Sequence, residues 1–181
     1  MNRFFIILFS LVFLIGGFWF YQESDIGTRE IKGISSNKLA LIIGNGTYQN
    51  APSLSNPVND AEDMAAVLKT LGYKVILKLN ASRRAMITAA QNFGDSLQKQ
   101  GGVGLFYYSG HGLQTNGINY LVPSDANIKT AADIEFAGVD ANRILAQMEQ
   151  AKNPVNLVIL DACRDNPYGT IAFQKNILVL F

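Results

Sequence analysis

"VGLFYYSGHG", Val103 to Gly112, is the stretch on which the reading of this chain turns. Its first part, "VGLFYYS", is a continuous apolar run rather than an alternating one, which fits a strand covered on both faces. Glycines at 101 and 102 stop the helical pattern before it, and the run gives way to glycines on either side of His111, the only histidine in the chain. The same transition recurs 52 residues later (163 minus 111) in "VILDACRDNP", Val158 to Pro167, where an apolar run meets charged and turn-forming residues at Cys163, the only cysteine.

Outward from these two strands, the pattern alternates between apolar runs and amphipathic segments. "KLALIIGNG", from Lys38, reads as a buried strand closed by glycines. Asn56 and Pro57 suit an N-cap and first helical position, followed by Val58, Ala61, Ala65, Leu68 and Leu71 at helical spacing and a stop at Gly72. Tyr73 to Leu79 is a second strand. Ser82 then caps a helix that buries Met86, Ala90, Phe93 and Leu97. "INYLVP" reads as a short strand or hairpin arm, Val139 to Ala151 as a helix with Ile144, Leu145 and Met148 inward, and "VNLVILDA" as a further strand. Strands alternating with amphipathic helices predict an α/β layer with a mainly parallel sheet and helices on both faces.

With 181 residues, 49% hydrophobic and 16% charged, the chain is sized for one globular domain with an apolar excess. Part of that excess is local. Phe4 to Phe20, "FFIILFSLVFLIGGFWF", carries no charge and would span about 25 Å as a helix at about 1.5 Å per residue, close to the lower limit for a bilayer. No small-residue cleavage site follows it, and Trp19 and Tyr21 sit where interfacial aromatics anchor a helix end, so an uncleaved anchor is favoured over a signal peptide. The expected organisation is therefore a transmembrane anchor over residues 1–21, a linker over 22–37 and the main domain over 38–181. The expected localisation is single-pass in a membrane with the domain outside the cytoplasm, periplasmic in a bacterium. A net charge of +1 without basic or acidic blocks gives nucleic-acid binding no electrostatic support.

In an α/β sheet, functional side chains gather at the carboxyl ends of the strands. His111 and Cys163 both fall at such ends, and neighbouring strands would put an imidazole beside a thiol, the pair that holds a thiolate and protonates a leaving amine. The amides of Gly112 and Cys163 could form an oxyanion hole. One histidine and one cysteine do not make a zinc site, and no cofactor is expected.

The motifs "SGHG" at 109–112 and "DACRDNP" at 161–167 resemble those of caspase-like cysteine peptidases, in the metacaspase and bacterial orthocaspase branch. The resemblance implies a caspase-like three-layer sandwich, with His111 as general base and acid and Cys163 as the nucleophile of an acyl-enzyme. It also implies cleavage after arginine or lysine, with Asp60, Ser109 and Asp161 holding the substrate's cation. Carboxylates that converge on a pocket stay ionised together when a cation joins them. Calcium activation, known in the family, rests on no alignable residues here, and Asp133, Glu135 and Asp140 read equally well as a solvated loop. Family members continue through further strands where this chain stops, at Phe181. This adds the expectations of a C-terminally incomplete domain, of an unpaired sheet edge that favours self-association, and of an alternative role as an inactive module for protein–protein interaction.

Overall fold

A computed structural model describes residues 37–163. The chain begins with β1 (Lys38–Gly44), followed by α1 (Pro57–Thr70), β2 (Lys74–Leu79), α2 (Arg83–Gln100) and the long β3 (Val103–Thr115). It continues through β4 (Ile118–Leu121), α3 (Asp133–Ala137), β5 (Val139–Asp140) and α4 (Ala141–Gln150) to β6 (Val155–Cys163). β1 lies between β2 and β3, and β6 pairs with β3 on the side away from β1, all in parallel. The far end of β3 then runs antiparallel to β4, which pairs with β5.

The β2–β1–β3–β6 part is parallel, as the sequence pointed to, and β4 and β5 differ by running antiparallel, which makes the sheet mixed. The source of the difference is a two-residue hairpin: Asn116 and Gly117 have φ of 51° and 76°, the left-handed pair that matches the twist of antiparallel strands. This turn folds β4 back on Thr115 and gives Gly112 to Thr115 a partner, while Ser109, Gly110 and His111 are paired with β6, so β3 passes through "SGHG" where a loop was expected.

Helices cover both faces, as the alternation of β1 and β3 requires. Leu39, Leu41, Ile43, Phe106 and Tyr108 face α2 and α4, meeting Met86, Phe93, Leu97, Ile144 and Met148. Ala40, Ile42, Leu105 and Tyr107 face α1 through Ala61, Ala65 and Leu68. Each large side chain so buried contributes roughly 1.5–3 kcal/mol. Ser82 caps α2 by accepting from the Ala85 N–H. Asn56 precedes Pro57 as expected but makes no side-chain cap bond. Leu71 is exposed, because α1 ends at Thr70 and the chain turns through Gly72 at φ 84°. Val139 and Asp140 pair with β4 instead of opening a helix, and α4 starts only after Asp140 has capped the Asn142 N–H.

The expectation of a single-pass membrane protein is corrected. Among the described residues no helix is long and apolar enough to cross a membrane. The longest of them, α2, carries Arg83, Arg84, Asp95 and Lys99 and is apolar on one face only. Phe4 to Phe20 itself, together with the linker up to residue 36, lies outside the described residues. The transmembrane helix, the membrane as a partner and the extracytoplasmic localisation are accordingly not carried forward.

Candidate active site

Two glycines shape the carboxyl end of the sheet. Gly44 ends β1 directly under α1, where a Cβ would run into the Pro57 carbonyl and the Ala61 side chain, so the helix start can lie against the strand. Gly110, at φ 152°, lies where a Cβ would come within 2.7 Å of both the Tyr48 and the Tyr108 hydroxyl. Only glycine lets those two hydroxyls converge beside His111.

The loop after β1 is held down by buried hydrogen bonds. Asn45, fully buried, accepts the Ala81 N–H at 2.8 Å through its side-chain oxygen and donates to the Val122 carbonyl at 3.0 Å. Its main-chain N–H donates to the Ser109 carbonyl. Asn80 accepts the N–H groups of Gly46 and Thr47, and the Leu54 N–H closes the loop on the Gly46 carbonyl. The loop thereby presents two groups to His111, the Tyr48 side chain and the Pro52 carbonyl.

His111 is 5% exposed. Its Nε2 lies 2.8 Å from the Pro52 carbonyl oxygen. A carbonyl only accepts, so Nε2 carries the proton and Nδ1 is left as the basic nitrogen. Nδ1 is buried and has no hydrogen-bond partner among the described residues. A buried acceptor without a partner is costly in a purely structural residue and suits one that takes up a proton. On the backbone, His111 is the ladder partner of Cys163, the last residue of β6. Adjacent strands lie about 4.8 Å apart, so the two main chains are immediate neighbours.

One turn of the ladder below, Ser109 is paired with Asp161. Tyr107 donates to the Asp161 carboxylate at 3.3 Å. Burial, and next the negative charge of Asp161, push the Tyr107 hydroxyl up to about 12; Ser109 pulls against this, and the charge of Asp60 adds to it from α1. Asp161 and Ser109, expected from separate parts of the sequence, thus meet at one hydroxyl, which Asp60 reaches through its charge alone. Tyr107 was not among the expected site residues, although its place two residues before Ser109 on a strand put it on the same face. Gly112, expected in the oxyanion hole, follows His111 in β3 and pairs with Leu121.

Of the acidic residues set aside for calcium, Asp133 is spent on its own loop, accepting from the Lys129 and Thr130 N–H groups and from the Thr130 hydroxyl. These bonds hold its carboxyl below the usual range. Among the described residues no group of three or more His, Cys, Asp or Glu is placed to hold a metal ion.

The sequence profile of the caspase domain matches residues 37–178. This chain belongs to the caspase-domain family. It is 32% identical over 131 residues to the human mucosa-associated lymphoid tissue lymphoma translocation protein 1, an alignment covering 72% of this chain and 15% of that protein. The mouse homolog aligns to the same extent. A paracaspase of Dictyostelium discoideum is 24% identical over 174 residues, covering 86% of this chain and 40% of the relative. The caspase domain described here thus spans well under half the length of these relatives.

Proposed function

We propose that this caspase domain binds a polypeptide across the carboxyl ends of β3 and β6 and, as its finer activity, hydrolyses it after arginine or lysine as a cysteine-type endopeptidase. The observation that carries the chemistry is the ladder pairing of His111 with Cys163, with the imidazole Nε2 tied to the Pro52 carbonyl. In this reading Nδ1 accepts the Cys163 proton. The thiolate attacks the scissile carbonyl, the carbonyl oxygen is held by the amides of Gly112 and Cys163, and the imidazolium returns the proton to the leaving amine. Water then releases the acyl group by the same steps. Asp60, Ser109 and Asp161 receive the substrate's cation, and assignment to the metacaspase or orthocaspase branch belongs to this reading.

The second reading is a caspase-like module that binds protein partners without turnover. It is the more fully supported by the described residues, since it needs only the fold and an accessible surface, and β6 exposes Val155, Leu157 and Ile159. Hydrolysis needs the Cys163 thiol at Nδ1 as well.

A fluorogenic peptide ending in arginine separates the two. The peptidase reading expects turnover that falls at least about 1000-fold in Cys163→Ala and is lost for basic peptides in Asp161→Lys. No turnover, with no labelling of Cys163 by a thiol-reactive arginyl inhibitor, leaves the binding module.

A further inference from the structure

The residue that holds the His111 ring in place comes from the loop after β1, 63 positions away in sequence. The Tyr48 hydroxyl donates to the Asn45 carbonyl at 2.6 Å and accepts the His111 main-chain N–H at 2.9 Å. Its ring packs on the imidazole with centroids 4.6 Å apart and planes tilted by 42°. On the other side of the same residue, the His111 carbonyl accepts from the Tyr108 hydroxyl at 2.7 Å and from the Val122 N–H at 3.0 Å. The main chain of His111 is therefore fixed at both its donor and its acceptor.

The side chain needs more than that. An imidazole on a fixed backbone can still flip about χ2, which exchanges Nδ1 with Cδ2 and Nε2 with Cε1 and would put a carbon in place of Nε2 at Pro52. Two contacts oppose the flip, the hydrogen bond from Nε2 to the Pro52 carbonyl and the Tyr48 ring against the imidazole face. Tyr48 thus touches both the His111 main chain and its ring.

We propose that Tyr48 is a positioning residue for His111. Its hydroxyl anchors the histidine backbone to Asn45 and its ring stops the imidazole from turning, so that Nε2 keeps the proton and Nδ1 stays the base, directed away from Pro52. Tyr48 touches no substrate atom in this role and acts only through His111. The inference deepens the peptidase reading and rests on it for its catalytic consequence, while the effect on the ring itself stands apart from turnover.

The chain has one histidine and one cysteine, so both ends of the test give a single signal. In full-length protein with isotope-labelled histidine, the ring nitrogens of the wild type report neutral imidazole protonated at Nε2. Tyr48→Leu moves them to the averaged values of mixed tautomers. It also lowers the rate of Cys163 alkylation by iodoacetamide at neutral pH about tenfold, the order expected when a reacting group is misaligned but not removed. Tyr48→Phe keeps the ring and lies between the two; should Tyr48→Leu fail to fold, this variant decides. Wild-type nitrogen shifts and an unchanged alkylation pH profile in both variants would overturn the proposal. If wild-type alkylation follows the profile of an isolated thiol and His111→Ala leaves it unaltered, the peptidase reading fails instead, and the nitrogen shifts still decide the role of Tyr48.

Discussion

The two faces of the sheet are built differently. On the α2 and α4 side, β6 adds Val158, Leu160 and Ala162 to the same apolar layer that β1 and β3 build, and the helices cover it. On the α1 side the helix covers β1 and β3 but stops short of β6, where Val155, Leu157 and Ile159 alternate outward at 36%, 44% and 42% exposure. Every polar group of the candidate cation pocket, Asp60, Tyr107, Ser109 and Asp161, belongs to this half-open side. Neighbouring tyrosines on β3 show the contrast in one step. Tyr108 is sunk in the closed face and its hydroxyl braces the His111 backbone, whereas Tyr107 meets Asp161 on the open one. One face is covered along β1, β3 and β6, and the other only over β1 and β3.

Truncating the closed face gives the largest effect. Phe93 is fully buried at the centre of that layer, and Phe93→Ala is expected to cost about 3–5 kcal/mol in urea unfolding. A loss under about 1 kcal/mol would mean that the layer is loosely packed and the contrast between faces is false. A smaller effect is expected at high pH from the open face. The Tyr107 pKa is raised on folding, so its contribution is fully present below about 10, the unfolded value, and is lost as pH rises through about 12. The folded state holds the proton more tightly, hence stability falls with pH across that window. Tyr107→Phe should flatten this part of the profile, and an identical alkaline limb in the variant would detach Tyr107 from the acidic pocket. The smallest effect belongs to the uncovered strand. Ile159→Ser should shift stability by no more than about 0.5 kcal/mol, as at other exposed positions. A much larger loss would show that the open face is covered after all.

Where local pattern determines structure, the sequence was readable. β1, α1, β2 and α2 lie within a residue or two of their expected limits, because period and punctuation agree there. β3 was not readable past Ser109. Glycines on both sides of a histidine look like a loop, and what makes them a strand is distant pairing: Gly110 and His111 with β6, and Gly112 with β4 through the Asn116–Gly117 hairpin. β5 has two residues and no periodicity to detect. At the candidate site, His111 and Cys163 stood out as single residues at matching positions, and the ladder makes them partners on the backbone. Asn45, Tyr48 and Pro52 could not be found in this way. Each reaches its partner across a gap of 36 to 77 residues, through contacts that exist only once β1 and β3 lie side by side. The caspase-domain membership confirms the broad family resemblance, whereas its finer branch is left to the proposal.

The pairing of His111 with Cys163 makes strand register a chemical variable. Both residues sit at corresponding rungs of one parallel ladder, and its register sets how far along β3 the end of β6 reaches. A slip of two rungs preserves the side-chain alternation and most of the backbone hydrogen bonds, yet carries Cys163 roughly 6.6 Å along the strand, at about 3.3 Å per residue. Asp161 distinguishes the two registers, because a slip of two parts it from Ser109 and from the Tyr107 hydroxyl. In the proposed reading, the carboxylate that would receive a substrate's cation would also be a locating pin for the strand that ends in Cys163.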